Sequence, residues 1–219
     1  MKYKAIIFDL DGVLVSTDNC HYEAWKKMAD EEGIYFDRTI NERLRGVSRM
    51  ESLEIILERA EKEYTDEEKV CMAERKNGYY KKLIGTLDKS AMLDGAVEFV
   101  EKAKSMGLMV AIGSSSKNTV AILNQVGIID LFDAIADGND IKNSKPDPEV
   151  FLVAAQKLGV EPELCLVVED ADAGVEAALA ADMDVLAVGY AATNSKVTYS
   201  ANGLWDTEVN LYGIECNQL

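Results

Sequence analysis

Apolar and polar positions alternate along the chain in blocks. Residues 4–8 (K-A-I-I-F), 108–112 (L-M-V-A-I), 132–136 (F-D-A-I-A), 164–168 (L-C-L-V-V) and 185–188 (V-L-A-V) are short apolar runs rich in β-formers. Each has the length of a strand buried on both faces. Between them lie segments of helical character, residues 96–106, 119–126, 148–158 and 173–181. The first three run into Gly107, Gly127 and Gly159, as suits a left-handed helix C-terminus. Strand and helix in alternation predict an α/β fold built on a doubly wound parallel sheet, with ligands bound beyond the carboxyl ends of the strands.

Residues 16–89 break the alternation. They hold long charged stretches with apolar residues at helical spacing, such as Leu53, Ile56, Leu57 and Ala60, and no strand pattern. This predicts an inserted helical cap domain at 16–89, with residues 1–15 and 90–219 forming the α/β core. Because the insertion follows directly on the first strand's exit loop, both its connections emerge beside the expected site, which makes it a lid. The acidic runs 30–32 and 61–68 read as solvated helix faces. From Ala191 onward the pattern is weak.

The chain has 219 residues, 48% of them hydrophobic, enough for a full core. Lys and Arg number 23 against 39 Asp and Glu, a formal net charge of -16, which argues against a nucleic-acid binder or a protein of anionic membrane surfaces. An anionic ligand therefore needs cations placed locally. No apolar stretch reaches the ~20 residues of a membrane span, and the start M-K-Y-K lacks the form of a signal peptide. Cys20, Cys71, Cys165 and Cys216 show no metal spacing and read as reduced thiols, which points to the cytoplasm.

Candidate chemistry collects at strand ends. Asp9 and Asp11 close the first strand, two residues apart, so both carboxylates reach one region. Ser114 follows the second run, Lys145-Pro146-Asp147 the third, and Glu169-Asp170 the fourth. Taken singly, Ser114 reads equally as a helix cap, Lys145 as a solvated cation and Glu169-Asp170 as a helix start. Taken together, the carboxylates, hydroxyl and ammonium suit phosphoryl transfer: carboxylates hold Mg2+ and one of them attacks phosphorus, while the cations and hydroxyl hold the equatorial oxygens.

F-D-L-D-G-V at residues 8–13, the Ser114 segment, S-K-P-D-P around Lys145 and V-E-D-A-D-A-G at residues 168–174 resemble the four motifs of the haloacid dehalogenase superfamily. The resemblance covers residues 1 to about 190. It implies that Asp9 is the nucleophile that becomes an aspartyl phosphate and that Asp11 is the general acid/base. It also implies that Ser114 and Lys145 hold phosphate, and that Glu169 and Asp170 bind Mg2+ with Asp9 and the Asp11 carbonyl.

The insertion is similar to that of the sugar-phosphate mutases of the superfamily, which interconvert β-glucose 1-phosphate and glucose 6-phosphate through a bound bisphosphate. The matching residues are Thr17, His21 and Trp25, then L-R-G-V-S-R at residues 44–49, then E-R-K-N at residues 74–77, with S-S-S-K-N at residues 114–118 in the core. The similarity implies a second phosphate site formed by Arg49, Ser116, Lys117 and Asn118. Arg49 suits this physically, since its planar fork takes phosphate in bidentate fashion. Gly46, with Val47 and Ser48, permits a turn that brings backbone close to the sugar. His21 and Lys76 match residues that hold the closed state, and Trp25 reads chiefly as packing. Ser16, Arg45 and Gly113 stand where those mutases commonly have Asp, Lys and Ala. The similarity further implies a small-molecule phosphosugar partner and a monomer. A phosphosugar phosphatase using Asp11 to activate water is the alternative reading, and a non-catalytic phosphosugar sensor a second.

Overall fold

The structure, a computed structural model, describes residues 2–44 and 47–206. Arg45 and Gly46 lie outside the described residues, as does the end of the chain after Asp206.

Among the described residues the sheet is six-stranded and wholly parallel. It comprises β1 (Ala5–Phe8), β2 (Met109–Gly113), β3 (Ala134–Ala136), β4 (Cys165–Glu169), β5 (Asp184–Ala187) and β6 (Tyr199–Ser200), in the order β3-β2-β1-β4-β5-β6. Its apolar runs are continuous because both faces are covered. With a period of two, Ile6, Phe8, Val110, Ile112, Leu166 and Val168 enter one core, while Ala5, Ile7, Ala111, Cys165 and Val167 enter the other. Helices α5 (Ala96–Ser105) and α6 (Thr119–Val126) cover the first face, and α7 (Glu149–Leu158) and α8 (Asp172–Ala180) the second.

Two strands differ from the expectation in a way that matters. The second run begins one residue later and carries through Gly113, and the fourth extends to Glu169, so the site residues sit on or next to paired backbone. An added Cβ on Gly113 would lie 2.7 Å from the Phe151 ring, so this position takes no methyl unless the ring shifts. β6 escaped the pattern because it is two residues long.

Four helices occupy the segment read as an insertion: α1 (Asp18–Glu31), α2 (Arg38–Glu42), α3 (Arg49–Leu57) and α4 (Asp66–Ile84). Capping boxes start two of them. Ser48 Oγ accepts from Glu51 N at 3.3 Å while Glu51 Oε2 accepts from Ser48 N at 2.9 Å, and Thr65 and Glu68 repeat the arrangement. Acidic residues 66–68 open α4 and Lys81 and Lys82 close it, complementing the helix dipole. Part of the acidic run is therefore a helix start rather than a plain solvated face. Trp25, Met28, Ile34, Phe36, Leu53, Ile56 and Met72 bury an apolar cluster of their own, whereas Leu14, Tyr80 and Ile84 join the sheet's first core. Ser16 is exposed, and α1 begins at Thr17 without a side-chain cap.

Candidate active site

The strand order turns around β1, with the crossover to β2 on one side and to β4 on the other. This is the switch point at which open α/β sheets bind ligands. Register does the rest: Phe8 pairs with Ile112 and with Val168, so the next residues, Asp9, Gly113 and Glu169, end side by side. Asp9 N donates to Val168 O at 3.0 Å.

Lys145 closes the centre of the site. Its Nζ lies 2.5 Å from Asp9 Oδ1 and 2.7 Å from Glu169 Oε1, and it is 5% exposed. Burial works against this ammonium, but the two carboxylates outweigh it and raise its pKa. Glu169 is fully engaged, because its Oε2 accepts the backbone N–H groups of Asp170 at 2.6 Å and Ala171 at 2.9 Å. Burial pushes Asp9 up to about 7, opposed by Lys145 and reinforced by Glu169 and Asp11. Asp11 is pushed up to about 6, again by burial, against a hydrogen bond donated by the Thr17 hydroxyl to its Oδ1. Thr17 thus spends its hydroxyl on Asp11 instead of capping α1.

Oxygen atoms of Asp9, Glu169 and Asp170 lie within 4.8 Å of one another, all buried. Three carboxylates face one ammonium, and the donor set is entirely oxygen, which fits a hard divalent cation. Glycines make the room. A Cβ on Gly12 would lie 2.1 Å from Asp170 Oδ2, and one on Gly174 would lie 1.7 Å from Glu169 Oε1.

A cleft of about 520 Å³ opens from this point to the helical segment. Asp9, Asp11, His21, Trp25, Val47, Ser48, Arg49, Lys76, Ser114, Ser116, Lys117, Asn118, Lys145, Glu169 and Asp170 all line it. Thr17 stands behind its wall, 1% exposed, and Gly46 lies outside the described residues. Trp25 does two things, packing in the helical cluster and forming cleft wall, with Lys76 Nζ 4.8 Å from its ring centroid. Lys76 Nζ also meets His21 Nδ1 at 3.0 Å and sits 4.7 Å from the Tyr80 ring. Burial, with Arg49 nearby, lowers Lys76 to about 7; burial, with Lys76 and Arg49, holds His21 well below its usual value. Among the described residues no carboxylate pairs with Arg49, Lys76 or Lys117.

Of this wall, the expectation from sequence passed over Tyr80, and it quoted Asn77 and Ser115 within matching segments without giving either a role. Tyr80 and Asn77 lie on α4, and Ser115 Oγ accepts from Lys145 N at 3.3 Å. Tyr80 carries a signal in its spacing, four residues after Lys76 and so on the same helix face.

Residues 3–182 match the haloacid dehalogenase-like hydrolase model. The chain belongs to that family. It is 44% identical over 188 residues to a β-phosphoglucomutase of Bacillus subtilis, covering 85% of this chain and 83% of that one. It is 33% identical over 182 residues to a phosphorylated carbohydrates phosphatase of Thermotoga maritima, covering 83% and 82%. Among solved structures, a β-phosphoglucomutase from Clostridium difficile superposes with a TM-score of 0.89 at 40% identity, covering 97% of this chain and 96% of that one. The four segments at strand ends that resemble the haloacid dehalogenase motifs are those that meet around Asp9 and Lys145. Among the described residues no helix is long and apolar enough to cross a membrane.

Proposed function

We propose that this member of the haloacid dehalogenase-like family is a β-phosphoglucomutase, interconverting β-D-glucose 1-phosphate and glucose 6-phosphate through phospho-Asp9 and a bound glucose 1,6-bisphosphate. The observation that carries this reading is the pairing of two features in one cleft. A carboxylate centre lies at Asp9, and two cations that make no salt bridge among the described residues, Arg49 and Lys117, stand on the wall of a chain with net charge -16, with Glu74 near Arg49. A phosphatase acting on one phosphate has no use for that second set, whereas a mutase holds two phosphates at once. The 44% identity to a β-phosphoglucomutase supports it.

Mg2+ is the ion we assign to Asp9, Asp170 and the Asp11 carbonyl, with Glu169 beside them; when bound it supplies charge neutralisation for the transferring phosphoryl oxygens. The protein's own residues do the following. Lys145 holds Asp9 in place and screens its charge from Glu169, so that the carboxylate is presented to phosphorus. Asp9 attacks, a P–O bond forms on its carboxylate, and the bond from phosphorus to the sugar oxygen breaks. Asp11 gives its proton to that oxygen. In the other half, Asp11 takes the proton from the free hydroxyl of a sugar monophosphate, whose oxygen bonds to phosphorus as the bond from phosphorus to Asp9 breaks. This gives the bisphosphate, which turns over in the site before Asp9 attacks its other phosphate. The Asp11 pKa of about 6 suits both directions near neutrality. Thr17 fixes the Asp11 carboxylate by hydrogen bonding, and Ser114 donates to the transferring group. Arg49, Ser116, Lys117 and Asn118 hold the distal phosphate, while Val47, Ser48 and Trp25 flank the sugar. The capping box engages the Ser48 hydroxyl and N–H and its C=O accepts from Ser52 N, so Ser48 meets the sugar through its β-carbon. His21 and Lys76, joined to each other within the helical cap domain, residues 16–89, stand on the cleft wall and hold the closed state in which the cap covers the sugar and the α/β core domain formed by the rest, excluding water. The enzyme acts as a cytoplasmic monomer.

A phosphorus NMR time course with Mg2+, β-glucose 1-phosphate and a trace of bisphosphate tests the reading. Glucose 6-phosphate accumulates without inorganic phosphate if it is right, and inorganic phosphate alone makes the protein a phosphatase. Arg49→Ala lowers isomerisation at least about a hundredfold, since it removes a bidentate charge-assisted contact.

A further inference from the structure

Asn118 stands at the N-cap of α6, where an Asn side chain ordinarily accepts a backbone N–H of its own helix. Here it makes no such cap. Its amide, buried at 6% exposure, crosses the cleft instead: Nδ2 donates to Asn77 Oδ1 of α4 at 3.1 Å. The bond joins the helical segment to the loop after β2. Both amides line the cleft that Arg49 and Lys117 also line.

Each amide offers two N–H donors and one carbonyl acceptor. The bond spends one donor of Asn118 and engages the oxygen of Asn77. The groups left over are the second N–H of Asn118, both N–H of Asn77 and the Asn118 oxygen, so donors to an anion predominate. Rotation of the Asn118 amide by half a turn would present its oxygen to Asn77's oxygen, which is repulsive. With Asn77 presenting its oxygen, the Asn118 amide is held with Nδ2 toward α4.

We infer that Asn77 is a positioning residue for the distal phosphate: by accepting from Asn118 across the cleft, it aims the remaining Asn118 N–H at the phosphate beside Arg49. This rests on the mutase reading, which supplies that phosphate. It assigns the Asn77–Asn118 pair a job in substrate recognition, in addition to holding α4 against the core.

The test is steady-state isomerisation of β-glucose 1-phosphate with Mg2+ and bisphosphate primer, on wild type, Asn77→Ala, Asn77→Asp, Asn118→Ala and the double Ala variant. Losing one hydrogen bond to a charged group raises KM about ten- to a hundredfold in Asn77→Ala, with kcat lowered much less. Asn77→Asp keeps the acceptor and the shape, yet places an anion beside the phosphate, so its KM rises further than that of Asn77→Ala. Because Asn77 acts through Asn118, the double variant is no worse than Asn118→Ala. Asn77→Ser replaces the Ala variant if thermal unfolding shows the latter misfolded. An Asn77→Ala enzyme with wild-type KM overturns the inference, since the Asn118 amide would then need no acceptor on α4 to meet the phosphate. So does a double variant in which the losses add. A wild-type protein that does not isomerise the sugar phosphate removes the mutase reading itself, whereas these other two results leave it standing.

Discussion

Substituting Gly12 by Ala probes how the carboxylate centre is built. Gly12 has φ +84°, and its N–H donates to Val15 O at 2.8 Å, so the turn after Asp11 cannot readily relax. A side chain there meets two costs. The left-handed backbone costs a non-glycine residue about 1–2 kcal/mol. The new Cβ would also lie 2.1 Å from Asp170 Oδ2 and 2.5 Å from its Cγ, and overpacking of that kind costs about 1–3 kcal/mol. The sum is about 2–5 kcal/mol. Gly33 supplies the control, with φ +72° and nothing within 4 Å of an added Cβ, so Gly33→Ala carries the backbone cost alone. Urea unfolding of both variants should separate them by about 1–3 kcal/mol at unchanged m-value. If Asp170 swings aside to relieve the collision, the stability gap narrows but the Mg2+ concentration for half-maximal activity rises steeply in Gly12→Ala only. Equal stability together with equal Mg2+ dependence in the two variants would refute the claim that Gly12 is there to admit Asp170.

Two further outcomes are expected. Lys76 titrates near 7 when folded, against an ordinary 10.5, so between those values the unfolded chain binds a proton that the folded one does not, and stability rises with pH. Lys76→Met lacks this penalty: denaturant titrations should show it more stable than wild type below pH 7, by up to about 5 kcal/mol, with the advantage gone by about pH 10.5. Mg2+ at a hundredfold excess over its Kd stabilises by about 2.7 kcal/mol, raising the melting midpoint by about 5–10 °C in calorimetry. Asp170→Asn should lose most of that rise.

Much of the site was legible because its residues sit at strand ends, and strand ends are marked by where apolar runs stop. Asp9, Ser114 and Glu169-Asp170 were located that way, and the register of β1 with β2 and β4 placed them side by side. Lys145 was harder to place, since it lies on a long loop nine residues past the end of β3, and only the fold brings its Nζ between Asp9 and Glu169. Tyr80 went unremarked and Asn77, quoted only within a matching segment, was given no role, because their environment belongs to another part of the chain. A helix face carries no sign of the loop it will meet.

The linear pattern alone determined the alternation of strand and helix, the helical interruption at residues 16–89 and the concentration of Asp, Ser, Lys and Glu at strand ends. These are consequences of local periodicity and of where backbone leaves the sheet, which nearest neighbours in the chain decide. The tertiary structure decided which charges are compensated. Asp9 and Asp11 are pushed up by burial, Lys76 is pushed down, and Lys145 is held charged between two carboxylates. Each shift depends on how much water is removed and on which charges, often far away in sequence, stand within a few ångströms. Both quantities are properties of the packed molecule rather than of residue order.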